Sequence, residues 1–361
     1  MLSRVILTTG GTGGHIFPAI AVARKLKERY PGCRVVFAGG EYGPEKEMAD
    51  QAGLEFKAFP ARGVLGRGFK SLGSLFWMGK SLVSSLFFLR SFKPQVVLGF
   101  GGYAGFMPVL AARILKIPTA VHEQNSLPGV TNRILGKRVD QVFLSFPDEQ
   151  GFFPGEKVTI TGNPVREELI RLQDIRTYSG RMKRLLVLGG SQGAKGINDA
   201  VLACLGQFKA MGVEIWHQAG AADYERVKYF YDRDYPEARV DIFIENMAEA
   251  YGFAALVLCR AGASTLAELC VAGRPSVLIP FPYATHDHQM SNARYLEKKG
   301  AAMVLAQSHL SGMNIAGVIG DLLAMPEKLR EMSRAALAAG RPEASGIIVE
   351  HLKHLSIQGR K

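Results

Sequence analysis

His15 closes the run "GGTGGH" (10–15), which sits between an apolar stretch and a helix-like one in "TTGGTGGHIFPAIAVARKL" (8–26). Bare glycines where a strand turns into a helix leave backbone N–H groups pointing out at the positive helix end, a usual seat for phosphate. The spacing fits neither common template. Counted from Gly11, the third glycine of a dinucleotide fingerprint falls on Ile16, and no Gly-Lys-Ser/Thr follows as in a Walker loop. "GGSQGAKG" (189–196) fails both templates as well, and "GFGGYAG" (99–105) adds a third turn. A nicotinamide or ATP site is therefore disfavoured, while phosphate of another kind is not. "CRAGASTLAELCVAG" (259–273) follows an apolar strand and opens a helix with Ser264 and Thr265. Thr265 and Glu268 have capping-box spacing, so one reading has Glu268 tie back the helix start. In the other, the amides of Ala263 to Thr265 hold a diphosphate while Glu268 accepts hydrogen bonds from ribose hydroxyls. Spacing leaves both open. "DRD" (232–234) has a metal-like D-x-D spacing but lies in a polar stretch that follows no strand, and the histidines of "HDHQ" (286–289) lack further ligands, so no metal is expected.

Positioning these turns requires strands that feed them. "RVILTT", "CRVVFAGG", "PQVVLGFGG", "PTAVHEQN", "QVFLSF" and "KVTITGNP" are apolar runs without strict alternation, as expected for strands buried on both faces of a parallel sheet. From Arg184 the pattern restarts: "RLLVLGGSQGAKGINDAVLACL" repeats strand, glycine turn and helix, and "VEIWHQAG", "VDIFIEN", "ALVLCRAG" and "PSVLIPF" supply further strands. Two doubly wound α/β domains are predicted, joined near "TGNPVREEL" (161–169), where Pro164 interrupts the run. Ligands are expected at the carboxyl ends of the strands, in a cleft between the halves.

The stretch "GFKSLGSLFWMGKSLVSSLFFLRSFKP" (68–94) departs from that pattern. Helical spacing assigns Leu72, Leu75, Phe76, Leu82, Val83, Leu86 and Phe87 to a core stripe, and places Trp77 and Phe88 on the opposite face with Lys70 and Lys80. One reading is a core helix with two stray aromatics; the other is an interfacial patch whose basic residues meet anionic headgroups. Uncharged runs between Lys70, Lys80 and Arg90 fall far short of the roughly 20 residues that span a bilayer.

At 361 residues, 47% hydrophobic and 21% charged, the chain is ordinary for a folded protein. Its 44 basic against 32 acidic residues give +12, an attraction for nucleic acid, anionic lipid or phosphorylated substrates. Nucleic acid is disfavoured, because no zinc-finger spacing, RNP-type motif or basic-region helix occurs. Four scattered cysteines form no C-x-x-C and suit a reducing cytosol, and residues 1–9 read as a first strand rather than a secretory signal.

Taken in order, "GGTGGHIFPAIAVA", "LGFGGYAGFMPVLAA", "VHEQNSLPGVTNR", "GNPVR", "LGGSQGAKGIN", "CRAGASTLAEL" and "HDHQMSNA" resemble the MurG family along nearly the whole chain. These bacterial peripheral membrane transferases move N-acetylglucosamine from its UDP donor to undecaprenyl-diphosphate-linked N-acetylmuramoyl pentapeptide. The resemblance implies a GT-B fold with an acceptor and membrane domain at 1–163, a UDP-sugar domain at 164–342, and a last helix, 343–361, returning to the first domain. It implies donor contacts at Thr12, Gly13, Gly14, Asn125, Arg166, Ser191, Ile244 (by the uracil), Ala263, Ser264, Thr265, Leu266, Ala267, Glu268 and Gln289. Acceptor contacts fall on Gly101, Gly102 and Tyr103. One departure is that some members carry two glutamines where His288 and Gln289 stand. The resemblance further implies no cofactor, a place at the cytoplasmic face of the plasma membrane, and other cell-wall synthesis proteins as partner candidates.

Inverting transfer is a single displacement, so it needs one general base and help for the departing UDP, but no covalent nucleophile. His15 is the first candidate base, since a histidine titrates near neutrality, and Glu123 of "HEQN" is its rival. The alternative for His15 is to position the acceptor diphosphate or cap the turn. Without a metal, leaving-group charge is left to the 263–265 amides and Ser191. A UDP-N-acetylglucosamine 2-epimerase of the same architecture is the competing activity; it shares the donor contacts but needs neither acceptor domain nor membrane patch.

Overall fold

The computed structural model describes residues 2–11, 13–60, 71–174, 183–190, 193–284, 287–312 and 315–358. In chain order these form β1 (Arg4–Thr8), α1 (Gly13–Arg29), β2 (Arg34–Gly40), α2 (Glu45–Gln51), β3 (Glu55–Phe59), α3 (Ser71–Phe92), β4 (Val96–Gly99), α4 (Tyr103–Ile114), β5 (Thr119–Glu123), α5 (Val130–Gly136), β6 (Gln141–Leu144) and β7 (Val158–Ile160). There follow α6 (Glu167–Ile170), β8 (Arg184–Leu188), α7 (Lys195–Leu202), α8 (Leu205–Ala210), β9 (Glu214–Gln218), α9 (Tyr224–Asp234), β10 (Arg239–Asp241), α10 (Met247–Phe253), β11 (Leu256–Cys259) and α11 (Ala263–Val271). The chain ends with β12 (Ser276–Leu278), α12 (His288–Lys298), β13 (Ala302–Val304), α13 (Ile315–Leu323), α14 (Pro326–Ala339) and α15 (Ala344–Gln358).

Two units divide the chain: Met1–Arg166 with Arg341–Lys361, and Glu167–Gly340. The first break therefore falls after Arg166 rather than after Asn163, because Val165 is buried and the Arg166 guanidinium lies 5.2 Å from the Phe17 ring of α1. At the second break Arg341 goes with the first unit, its side chain lying against Gly162, and α15 then packs on α1, with Arg29 and Glu350 paired at 2.7 Å.

Both sheets are parallel, ordered β3-β2-β1-β4-β5-β6-β7 and β10-β9-β8-β11-β12-β13. The central strands feed cores on both faces: Val5 and Leu7 point into one, Ile6 into the other, and Leu185 and Val187 likewise oppose Leu186 and Leu188. Continuous apolar runs are what such two-sided burial requires. β3 and β13 lie outside the predicted strands; "EFKAF" is a mixed, half-buried edge strand and β13 is three residues long. The order reverses between β1 and β4 and again between β8 and β11, the positions beyond whose strand ends open α/β sheets seat their ligands.

α3 follows the predicted stripe only in part: Leu82 and Leu86 pack partly buried on the core, while the rest of the buried face lies to one side of it, and the side chains of Leu72 and Leu75 lie outside the described residues. Its inward face is Ser81, Ser85, Leu89 and Phe92, with Phe88 beside them, stacked on Phe92 at 5.5 Å and edge-on to Phe59 at 5.9 Å. Phe76, Val83 and Phe87, assigned to the core stripe, are 71%, 51% and 70% exposed. Phe88 is thus a packing residue, not a surface one. α3 packs on α4, and its buried face carries the small Ser81 and Ser85, with the Ser85 hydroxyl donating to the Ser81 carbonyl at 2.7 Å, while the large side chains of the other face stay outside. Trp77 is half-buried, flanked by Phe76 and by the Lys80 ammonium 5.2 Å from its ring, while Lys70 lies outside the described residues. No helix among the described residues is long and apolar enough to cross a membrane.

Candidate active site

In the first unit the turns after β1 and β4 interlock. The Gly10 amide donates to the Gly101 carbonyl at 3.2 Å, and a Cβ on Gly102, whose φ is +77°, would lie 1.9 Å from the Gly10 oxygen. Only glycine fits that approach. α1 begins directly after this turn at Gly13 and Gly14 and sets His15 in its first turn, where Nδ1 donates to Gln124 Oε1 at 2.7 Å. A side chain on Gly101 would crowd the same imidazole at 3.4 Å. Tyr103, exposed, starts α4 behind Gly102, and no side chain caps that helix end.

β5 delivers the residues behind His15. Gln124 is buried past its end, with its amide nitrogen 3.1 Å from the Phe100 carbonyl and 3.1 Å from His122 Nδ1. His122 Nε2 in turn meets the Gly162 carbonyl at 3.1 Å. Burial pushes the His122 imidazole down to about 4, so it is neutral at neutral pH. Glu123 is buried too, and its oxygens accept from the Asn125 amide at 2.9 Å, Asn125 Nδ2 at 3.3 Å, the Gly129 amide at 3.1 Å and Asn132 Nδ2 at 2.9 Å. A carboxylate offers about four lone-pair sites. Glu123 therefore ties down the loop leading to α5 through these four bonds. Glu45, the buried first residue of α2, accepts the Gly11 amide at 2.9 Å.

The second unit repeats the layout with different side chains. After β8, a Cβ on Gly189 would lie 2.6 Å from the Ala194 nitrogen, and α7 opens at Lys195 without a side-chain cap. Gln218, at the end of β9, ties this turn to the next loop: Nε2 donates to the Gly190 carbonyl at 2.9 Å and Oε1 accepts the Ile244 amide at 3.0 Å. Ile244 itself is buried. α11 starts at Ala263 with Gly262 as its N-cap, again with no side-chain cap. Thr265 thus lies inside the first turn rather than at the cap, so the capping-box reading of Thr265 and Glu268 does not hold. Glu268 is buried, and its Oε2 accepts the Tyr251 hydroxyl at 3.0 Å. Ser264, Thr265 and Ala267 are partly exposed on this helix, whereas Leu266 points into the core and has only its backbone to offer a ligand. At the start of α12, Gln289 Oε1 accepts the Phe281 amide at 2.9 Å, and Arg260 donates to the Ile279 carbonyl at 3.1 Å with its guanidinium 5.4 Å from the Phe281 ring.

The family models place these two units. Residues 5–144 match the glycosyltransferase family 28 N-terminal domain and residues 184–347 its C-terminal domain. The chain belongs to glycosyltransferase family 28. Family 28 relatives named UDP-N-acetylglucosamine--N-acetylmuramyl-(pentapeptide) pyrophosphoryl-undecaprenol N-acetylglucosamine transferase include one from Nitratidesulfovibrio vulgaris, 50% identical over 98% of both chains, and one from Solidesulfovibrio magneticus, 51% identical over 97% of both. Among solved structures, MurG of Acinetobacter baumannii superposes with a TM-score of 0.76 at 32% identity, covering 98% of this chain and 99% of that one. A UDP-GlcNAc 2-epimerase from Neisseria meningitidis superposes at 0.67 with 16% identity over 97% of this chain and all of that one, a likeness of fold alone. The architecture is GT-B.

Within this family 28 chain, Gly13, Gly14, Asn125 and Arg166 belong to the first unit, and Ile244, Ala263 to Glu268 and Gln289 to the second. Thr12, Ser191 and His286 lie outside the described residues. Gln124, Gln218, Tyr251 and Glu45 were not singled out from the sequence. Gln124 stood within a quoted motif, but the roles of all four depend on neighbours brought close by strand order. Among the described residues no three His, Cys, Asp or Glu side chains converge as a metal site; in "DRD", Asp232 pairs with Lys228 and Asp234 with Arg233 at 2.7 Å.

Proposed function

We infer that this chain transfers N-acetylglucosamine from UDP-N-acetylglucosamine to undecaprenyl-diphosphate-linked N-acetylmuramoyl pentapeptide in peptidoglycan synthesis. The observation that carries this reading is identity of about half over nearly the full length to transferases of that name. In the reading, the first unit takes the acceptor, around Gly101, Gly102 and Tyr103, and the second holds the donor. His15 accepts the proton of the acceptor hydroxyl as its oxygen attacks the anomeric carbon, and the bond to the UDP oxygen breaks on the opposite face, inverting the centre. Glu268, held by Tyr251, takes the ribose hydroxyls, Ile244 lies by the uracil and Gln289 meets the sugar. The amides of Ala263 to Thr265 and the Ser191 hydroxyl receive the charge of the departing diphosphate. Thr12, Gly13, Gly14, Asn125 and Arg166 complete the donor contacts.

The enzyme works as a peripheral protein at the cytoplasmic face of the plasma membrane. Its membrane side is the exposed stripe Phe76, Val83 and Phe87 of α3 with Lys80 and Arg90 beside it, an apolar strip flanked by cations that suits anionic lipid. The deciding experiment incubates the protein with UDP-N-acetylglucosamine, with and without a lipid-linked acceptor. Disaccharide formation only with acceptor is expected; conversion to the manno epimer without acceptor would overturn the reading. Turnover that survives EDTA is the companion expectation for a diphosphate held by amides.

A further inference from the structure

The bonds behind His15 fix its protonation geometry as well as its place. The Gln124 side-chain nitrogen lies 3.1 Å from the Phe100 carbonyl and 3.2 Å from the His122 carbonyl. Both partners can only accept, so the atom facing them is the NH₂ group and the other atom is the amide oxygen. That oxygen lies 2.7 Å from His15 Nδ1. An amide oxygen can only accept, so Nδ1 carries a proton, and in a neutral imidazole the lone pair then sits on Nε2. The far end of the chain is closed by the same logic. His122 Nε2 faces the Gly162 carbonyl at 3.1 Å and must donate, which leaves His122 Nδ1 as an acceptor, 3.1 Å from the Gln124 nitrogen and sharing one of its two protons with the His122 carbonyl. His122 is fully buried and stays neutral at neutral pH, so the chain of donors keeps one direction there.

We propose that Gln124 is a positioning residue that holds His15 in the Nδ1–H tautomer, so that Nε2 presents its lone pair to the acceptor hydroxyl. The direction is set by backbone carbonyls at Phe100, His122 and Gly162, which cannot reverse their role. When Nε2 gains the acceptor's proton, the Nδ1–H to Gln124 bond stays intact and the imidazolium forms without any rotation. This deepens, and rests on, the reading of His15 as the general base. Glu123 and Gln124, adjacent in sequence, thereby divide their duties: one clamps a loop and the other orients the imidazole.

The test reads the tautomer directly, in wild-type protein labelled with ¹⁵N-histidine at a pH where His15 is neutral. The His15 signals are assigned by their loss in His15→Gln. Nδ1 is expected at the protonated shift and Nε2 at the unprotonated one. In Gln124→Met the two shifts should move toward an average of the tautomers. Its kcat should fall about ten- to hundredfold, part of the roughly 10²–10⁴ a general base supplies, with KM for UDP-N-acetylglucosamine within about twofold. Gln124→Glu keeps an acceptor for Nδ1–H but sets a carboxylate oxygen against the Phe100 and His122 carbonyls, so it should retain the wild-type shift pattern at His15 while lowering stability. A wild-type proton on Nε2, or an unchanged pattern in Gln124→Met, overturns the proposal, and the wild-type spectrum decides even if the methionine variant does not fold. If His15→Gln keeps normal turnover while the wild-type tautomer is as stated, the base assignment fails and the lock stands.

Discussion

The two units share strand order and place their glycine turns at equivalent switch points, yet what backs each turn differs. Behind the β1 and β4 turns stands a line of side chains ending in an imidazole: His122, Gln124, His15. Behind the β8 and β11 turns stand a buried carboxylate held by a tyrosine and a glutamine that bridges two loops. On the proposed reading, one scaffold used twice carries two chemistries, one moving a proton and the other holding a nucleotide by amide dipoles and one carboxylate. A handful of residues at strand ends separates the halves, since the sheets behind them are built alike.

The sharpest way to break this contrast is at His15. Replacing it by alanine should lower kcat about 10²–10⁴-fold, the usual share of a general base, with UDP affinity within about twofold. Steady-state kinetics beside calorimetric titration with UDP measures both. Turnover near the wild-type level would remove the proton chemistry from the first unit.

A second contrast concerns acid. Each unit buries a neutral histidine: burial pushes His122 to about 4 and His217, between Asn198 and Tyr231, to about 3, against 6.5 for an unperturbed one. Below that value the unfolded chain takes up protons the folded units refuse, so stability falls as pH drops from about 6.5 and the loss levels off only beneath the folded values. At about 1.4 kcal/mol for each pH unit separating the folded from the unfolded value, each histidine is expected to contribute roughly 3 kcal/mol or more to the loss. The two tryptophans report the units separately, Trp77 in the first and Trp216 in the second. Urea midpoints followed with Trp77→Phe and Trp216→Phe should both fall between pH 7.5 and 5; a transition that ignores pH would show that its histidine is already solvated.

The strands and turns of both units were legible because two-sided burial writes an unbroken apolar run and a close turn writes glycines. β3 escaped notice because an edge strand needs only a half-apolar face. The inward face of α3 escaped because two of its buried residues, Ser81 and Ser85, are serines, which a hydrophobicity pattern scores as solvent-facing. Gln124 could be seen in "HEQN" but not understood: its partners Phe100 and His15 become its neighbours only once β1, β4 and β5 lie side by side. Gln218 follows the same rule in the second unit, where β9 between β8 and β10 brings Gly190 and Ile244 to it, and Tyr251 meets Glu268 only once α10 and α11 share a core.

In the second unit, Glu268→Gln tests the carboxylate. It keeps the shape and an acceptor for Tyr251 but removes the charge, so UDP should bind about tenfold more weakly, near the 1.5–3 kcal/mol of a hydrogen bond to a charged group. Because no side chain caps α11, its melting temperature should change little. Unchanged UDP affinity would assign Glu268 to packing with Tyr251 alone.

The smallest effect separates the two faces of α3. Phe87→Ser removes one exposed ring from the stripe and should weaken partitioning onto vesicles containing anionic phospholipid by about three- to tenfold, less than full burial of a phenylalanine would give because the ring only dips into the interface. Phe88→Ser, one residue away, should leave partitioning unchanged but cost about 2 kcal/mol of stability in the first unit, since it empties the stack between Phe59 and Phe92. Sedimentation with vesicles and urea unfolding measure the pair. If Phe88→Ser detaches the protein while Phe87→Ser does not, the helix presents its other face to the membrane, and the close packing of Ser81 and Ser85 on the core must open when the enzyme binds.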